Sequence, residues 1–374
     1  MKKLRIGIIG VGAIATDETH GHIPNYKAID DVDVVAISDI NGRRAQYVAD
    51  RFEIPHVFTH FRDMLAHTEV DAVSIATPNF LHSPIAIGCL EQGVHVLVEK
   101  PMALTTREAR RMSEAAEQAG KVLFVGMNNR FRDDTRALKL MVQQGTLGQV
   151  YYAKAGWLRP GNVSAPSSWF TSKAQAGEGP LWDIGLVMLD LSLWMLGFPA
   201  VQSVSGAIHV PVQLEDQAPH LVTAVEASPY PVEDSATALI RFEGGASLLL
   251  EVSTKSMLGE MDDIYLRLDG TNGKRTEVLR IHGELFGTRM EFAPVLPTGG
   301  VPSHQRELRH FVDVCLGREA AVITPEQGLQ GVQVIEGIYR SAKLGHAIRL
   351  PLVDGAESTD DTPPPEIAPD DAAA

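Results

Sequence analysis

Cysteine is nearly absent from this chain. There are two in 374 residues, Cys89 and Cys315, far apart and each within an apolar, helix-like segment. That excludes a disulfide scaffold and suits inert thiols in a reducing compartment. Basic charge is also scarce: 33 Lys and Arg stand against 47 Asp and Glu, a formal net charge of −14. No basic stripe forms, so no nucleic acid partner is expected. Long apolar runs are missing as well. The best candidate, near residues 186–198, is interrupted by Asp190, and no membrane partner is expected.

The acidity is uneven. From Asp354 onward there are seven acidic residues and no basic one, in a Pro- and Ala-rich stretch. Such a segment cannot bury a core, so residues 353–374 read as a disordered tail. At the other end, Met1-Lys2-Lys3 and the apolar run up to Ala13-Ile14-Ala15 have the outline of a secretion leader. Arg5 and three glycines break that run, so a cytoplasmic location is expected.

What remains has ordinary globular composition, with 44% hydrophobic and 21% charged residues, and is long enough for two domains. Short apolar runs at 4–9, 32–38, 72–76, 95–99 and 122–125 alternate with helical stretches at 43–52, 60–66, 83–92 and 105–119. Strands that are apolar throughout, separated by helices, imply a doubly wound parallel sheet buried on both faces. After about residue 126 the pattern changes. Closely spaced strands at 151–158, 201–210, 237–242, 246–254, 264–268 and 277–281 are separated by turns such as Glu243-Gly244-Gly245. These predict a mostly antiparallel open sheet, with helices at 131–144, 180–196, 303–317 and 325–343. The expected fold is therefore an α/β Rossmann domain (1–126) followed by an α+β domain (127–352).

Gly10-Val11-Gly12-Ala13-Ile14-Ala15 is a G-x-G-x-x-A pattern placed between the first strand and a predicted helix, the context that gives it meaning. Gly10 permits the tight turn, Gly12 lets backbone approach a diphosphate, and Ala15 keeps helix and sheet close; the helix N-terminus is expected to add amide donors. The second strand ends at Ser38-Asp39, whose carboxylate suits ribose hydroxyls and repels a 2′-phosphate. NAD is the expected cofactor, with NADP left open by Arg43 and Arg44. The fourth of these apolar runs ends in Glu99-Lys100-Pro101, at the sheet edge where ligands bind in open α/β folds.

These motifs, with Ala76-Thr77-Pro78-Asn79, His82, Asn128, Arg130-Phe131, Trp169-Phe170, Lys173 and the stretch Gly177–Gly185, together resemble the glucose–fructose oxidoreductase/inositol dehydrogenase (Gfo/Idh/MocA) family over residues 4–351. The resemblance implies an NAD(P)-dependent dehydrogenase acting on a small-molecule sugar, sugar derivative or cyclitol. It implies a cofactor set of Gly10, Gly12, Ala13, Ile14, Asp39, Arg43, Thr77, Pro78, Asn79, His82, Glu99, Lys100 and Asn128. Lys100 is the implied catalytic residue beside the nicotinamide. Chemistry supports it: alcohol oxidation needs a proton acceptor, and burial beside a positive ring would draw a lysine down from its ordinary value near 10.4.

One departure matters. The family pattern Asp-x-x-x-His places two groups on one helix face; here Asp183 is present, but Val187 stands at the histidine position. Three readings stay open: Lys100 carries the proton alone or with a water held by Asp183; His20 or His22 substitutes; or the chain binds cofactor and sugar as a regulator without turnover. Transient redox inside an NAD-dependent lyase or glycosidase is a further alternative. On the substrate side the resemblance points to Arg159, Trp169, Lys173 and Asp183, partly on a long loop of a kind that is commonly functional. No spacing of His, Cys, Asp and Glu suits a metal, and none is expected. Leu248-Leu249-Leu250 suggests an apolar sheet face covered by another subunit, hence a homodimer or homotetramer through the second domain's sheet.

Overall fold

The first strand, β1 (Leu4–Ile9), is Leu-Arg-Ile-Gly-Ile-Ile, with Ile6 and Ile8 fully enclosed. It lies at the centre of a six-stranded parallel sheet with β2 (Val32–Ser38), β3 (His56–Phe58), β4 (Ala72–Ile75), β5 (His95–Glu99) and β6 (Leu123–Gly126). The order is β3-β2-β1-β4-β5-β6. Because β1 lies between β2 and β4, connections leave it in opposite directions and open a crevice at the strand carboxyl ends. Gly10, Thr77 and Lys100 all follow those ends. The structure is a computed structural model that describes residues 3–160, 179–209, 233–256, 262–277, 280–285, 288–292 and 300–352. Trp169, Lys173 and the acidic tail lie outside the described residues.

Local signals account for the helices. The helix α1 (Ala13–Thr16) is one turn long, because Thr16-Asp17-Glu18-Thr19 carries turn chemistry. Asp17 Oδ1 accepts the backbone N–H groups of Thr19 and His20 at 3.0 and 2.7 Å. A β-carbon on Gly21 would sit 2.2 Å from the Asp17 carbonyl oxygen, so only glycine allows the chain to turn into α2 (His22–Lys27). The helices α3 (Gly42–Phe52), α4 (Phe61–His67), α5 (His82–Glu91) and α6 (Thr106–Ala119) follow. In α6, Thr105 and Glu108 form a reciprocal capping box and Gly120 ends the helix in left-handed backbone.

Two compact units form: Met1–Phe131 with Gly299–Leu329, and Arg132–Thr298 with Gln330–Pro351. The helix Ser303–Cys315 thus belongs with the first sheet, whereas the sequence pattern grouped it with the second domain. Helical periodicity tells which face of a helix is buried, not against which sheet. Here Phe311 meets Phe124 at 5.8 Å between ring centroids. Buried Arg130 donates to Val322 O and Gln327 Oε1 at 2.9 and 2.6 Å, tying the Asn128–Phe131 turn to the returning segment.

The second unit is built on a nine-stranded sheet. Its strands are β7 (Val150–Pro160), β8 (Val201–His209), β9 (Ser235–Phe242), β10 (Ser247–Ser256), β11 (Asp263–Gly270), β12 (Arg275–Glu277), β13 (Arg280–Leu285), β14 (Thr288–Phe292) and β15 (Ile348–Arg349). The order is β14-β13-β12-β11-β7-β10-β9-β8-β15, parallel between β7 and β10 and antiparallel elsewhere. The single strand expected at 277–281 is two strands, β12 and β13.

Alternation sorts the faces. Leu248, Leu250 and Val252 are buried with Ala236, Ala238 and Ile240. Leu249 points the other way, so the leucine run is not an apolar open face. On that side it lies between Leu239 and Lys154, and polar pairs surround them: Tyr265 Oη donates to Glu251 at 2.7 Å, and Arg267 pairs with Asp269 at 2.8 Å. Apart from Asp190 and Ser192, which are buried with it, the helix Leu186–Leu196 is apolar on every face and almost wholly buried, as an enclosed helix must be.

Candidate functional site

The glycine turn fits its expected task. Gly10 has φ +86°, and a β-carbon there would lie 2.6 Å from the Ala76 carbonyl oxygen. A β-carbon on Gly12 would meet nothing within 4 Å, so this backbone borders open space that a diphosphate can fill. Ala15 is fully enclosed, Ala13 exposed and Ile14 half-buried. The helix behind the turn is a single turn, however. The donors therefore come from loop amides, without the sustained dipole of a long helix.

Asp39 is buried and multiply held. Its Oδ2 accepts the Val11 amide at 2.9 Å, and its Oδ1 accepts the Asn41 amide and Arg44 Nη2, each at 2.9 Å. The carboxylate thus fixes the glycine turn from below and keeps negative charge where the adenosine ribose is expected. The guanidinium that reaches it belongs to Arg44; Arg43 is exposed on α3.

At the end of β4, the Thr77 hydroxyl is buried without a hydrogen-bond partner among the described residues. An orphaned hydroxyl beside the glycine turn suits a cofactor contact. Pro78 leads into the turn Asn79–Leu81, where Asn79 is buried. His82 is fully enclosed, its Nδ1 2.7 Å from Pro101 O and its Nε2 2.9 Å from Thr77 O. The ring therefore ties the loop after β4 to the loop after β5. Burial holds its pKa below the ordinary histidine value, although the two carbonyls favour the protonated ring.

Lys100, half-buried, follows directly on β5. Its backbone amide donates to Glu99 Oε2 at 3.2 Å. Burial pushes the Glu99 carboxyl up, but the His22 hydrogen bond and the charges of His22, Lys100 and His304 outweigh this and hold it below the ordinary range. His22 Nε2 lies 2.9 Å from Glu99 Oε1, and its Nδ1 lies 2.6 Å from Ser74 Oγ. Asn128 donates towards Ser303 Oγ at 3.4 Å and lies 3.5 Å from His304 Nδ1. His304, whose pKa burial drives down to about 4, makes an edge contact with the His20 ring at 5.0 Å.

Of the two histidines offered as substitutes for the absent one, His22 is enclosed with both nitrogens engaged, and His20 is exposed. Ser74 and His304 escaped the sequence reading. A polar residue inside the apolar run Ala72-Val73-Ser74-Ile75 was the signal available for Ser74.

In the second unit, the structure brings Arg159 and Asp183 together. Arg159 Nη1 is 3.3 Å from Asp183 Oδ2, and its Nε is 3.5 Å from Asp262 Oδ2. Its guanidinium also covers the Trp157 ring at 4.6 Å, while Trp157 Nε1 donates to Asp262 at 2.8 Å. Trp157 and Asp262 were not foreseen. Asp183 lies on the π-turn Leu181–Gly185, a wide helical turn of a kind frequent at functional sites. Buried Glu233 anchors the entry to that turn: it accepts the Gly179 and Leu181 amides at 2.9 and 3.4 Å and the Tyr339 hydroxyl at 2.5 Å. Val187, at the family's histidine position, is buried in the helix that follows. Among the described residues no cluster of His, Cys, Asp and Glu is arranged to hold a metal.

Residues 4–127 match the family described as an oxidoreductase family with an NAD-binding Rossmann fold. Residues 135–276 match the GFO/IDH/MocA C-terminal domain. D-glucoside 3-dehydrogenase of Escherichia coli K12 is 32% identical over 350 residues, covering 93% of this chain and 97% of that protein. Myo-inositol 2-dehydrogenase of Thermotoga maritima is 26% identical over 368 residues, covering 94% and 100%. Among solved structures, GenD2 from gentamicin A biosynthesis, in complex with NAD, superposes with a TM-score of 0.76 at 26% identity, covering 94% and 97%. An open Gly12 turn above a buried Asp39, continuous with full-length likeness to these dehydrogenases, settles the question of kinship: the chain belongs to the GFO/IDH/MocA family of NAD-binding oxidoreductases.

Proposed function

We propose that this protein oxidises a secondary hydroxyl of a glucoside, related sugar or cyclitol, with Lys100 accepting the hydroxyl proton. Bound NAD supplies the hydride acceptor. The Gly10–Gly12 turn receives the diphosphate, and Asp39 takes the ribose hydroxyls and disfavours a 2′-phosphate. In the second unit Asp183, held by Arg159, offers a carboxylate oxygen to a sugar hydroxyl, with the Trp157 ring beside the pair. In the reverse direction the Lys100 ammonium polarises the ketone. The observation that carries this reading is Lys100 at the carboxyl end of β5, anchored through Glu99, in the same unit as an NAD-type glycine turn.

The test is NADH formation across a panel of glucosides, free sugars and inositols. Lys100→Met should lower kcat by about 10²–10⁴-fold, the range for losing a general base, while the Kd for NAD stays unchanged. Equal turnover by wild type and Lys100→Met would remove Lys100 from the chemistry. Val187 favours one second reading, a cofactor- and sugar-binding regulator. That reading requires ligands to raise the melting temperature with no NADH formed, and Val187→His to create activity.

We further place the protein in the cytoplasm, supported by its free cysteines; no helix among the described residues is long and apolar enough to cross a membrane. It assembles as a dimer or tetramer through the nine-stranded sheet, as the half-buried Leu249 and Tyr265 on its polar face suggest. A monomeric mass in light scattering at micromolar concentration would refute the assembly.

A further inference from the structure

The segment behind the glycine turn does more than close a loop. Asp17 and Gly21 turn the chain so that α2 begins at His22, and the His22 ring is 1% exposed. One ring nitrogen reaches β5 and the other reaches β4, linking residues 77 and 52 positions away in sequence.

The chemistry at each end fixes the ring. A carboxylate only accepts, so Nε2, 2.9 Å from Glu99 Oε1, must carry hydrogen. The Ser74 hydroxyl can donate or accept, so Nδ1 is satisfied whether the ring is neutral or charged. The second Glu99 oxygen accepts the Lys100 amide at 3.2 Å. On the far side a β-carbon at Gly126 would approach Glu99 Oε1 to 3.0 Å, so β6 walls the carboxylate in. The result is one continuous chain of hydrogen bonds from Ser74 through His22 and Glu99 to the Lys100 backbone. None of these groups faces solvent freely, and a buried carboxylate stripped of its donor must protonate or turn away.

We infer that His22 is a positioning residue for Lys100, acting through the Glu99 carboxylate. The inference rests on the proposed role of Lys100. His22 keeps Glu99 ionised and aimed, and Glu99 holds the peptide from which the reactive amine projects. His22 does not touch substrate; it stands behind the site. The other titratable groups around this network are Lys100 itself, His304 with His20 and Asp17 beyond it, Tyr26 at the His22 ring edge, and Glu307 and Cys315 near Tyr26.

A double-mutant cycle on the full-length protein tests this, with kcat, KM, NAD affinity and melting temperature measured for each variant. His22→Leu and Glu99→Gln should each lower kcat by about 10–100-fold, the usual cost of losing a group that orients a reactive one, with KM and NAD affinity little changed. The double variant should be no slower than the slower single variant, because both remove the same link. His22→Gln, which keeps a donor near the Nε2 position, should recover activity to within about fivefold of wild type. If His22→Leu does not fold, His22→Asn, whose amide stops short of Glu99, replaces it in the cycle. Multiplying losses, no recovery in His22→Gln, or a kcat loss matched by lost NAD affinity would overturn the inference. Lys100→Met in the same assay separates the two claims: wild-type turnover there defeats the Lys100 reading, whereas a dead Lys100→Met with an additive cycle defeats only the role of His22.

Discussion

Asp39 shares its two oxygens among three donors, and two of those belong to backbone that must hold still for a dinucleotide. Replacing it by serine removes the negative charge and frees Arg44. Asp39→Ser should lose about tenfold or more in kcat/KM with NAD and gain with NADP, since one unfavourable charge contact exchanged for a favourable one amounts to about 1.4 kcal/mol or more. Steady-state kinetics with both cofactors check this, and an unchanged NAD/NADP ratio would count against it. His304 gives a second residue-scale expectation. Its folded pKa is about 4 against an ordinary 6.5, so between those values the unfolded chain binds more protons. Stability from this group is complete above pH 6.5 and declines as pH falls towards 4. His82, also lowered by burial, adds to the same acid slope, while Glu99 contributes only at lower pH, through its depressed carboxyl range. His304→Gln should therefore flatten part of the acid loss of melting temperature, by about 2–4 °C per kcal/mol recovered. Asp39 and Lys100 were legible in the sequence because each follows directly on a recognisable strand. His22 could be named only as a candidate, because what defines its task lies on β4 and β5, far along the chain.

Elements behave less locally than residues. The glycine pattern announced a strand–turn–helix, yet the helix stops after one turn because Asp17 draws the next amides into its own side-chain turn. The pattern for 303–317 located a helix well but could not name its sheet; the tilted ring contact of Phe311 with Phe124 does. In the second unit the strand alternation was readable, but the parallel pairing of β7 with β10 was not, since pairing direction leaves no mark in either strand. The entry to the π-turn is the element most exposed to a small change. A β-carbon on Gly179 would lie 2.3 Å from the Glu233 carbonyl oxygen, backbone that cannot swing aside. Gly179→Ala should cost about 1–3 kcal/mol of stability, in the range of overpacked sites, and reduce turnover by displacing Asp183. NAD affinity, set in the other unit, should stay as in wild type. Calorimetry with NAD titration checks the split, and a lost NAD affinity would contradict it.

At the scale of the whole molecule, two units with separate cores divide the labour: one presents a dinucleotide turn and an anchored lysine, the other an Arg159–Asp183 pair beside an aromatic ring. Family kinship extends over nearly the full chain, yet the partner that would complete a proton pair is missing at Val187. In the proposed mechanism Lys100 alone takes the proton and NAD takes the hydride. The most direct measurement incubates the protein with NAD and a glucoside carrying deuterium on every ring carbon, in ordinary water, and weighs the reduced cofactor by mass spectrometry. One deuterium in the NADH formed by wild type, and labelled NADH formed about 10²–10⁴-fold more slowly by Lys100→Met, is the predicted result. NADH without deuterium, or labelled NADH formed by Lys100→Met at the wild-type rate, would contradict this mechanism.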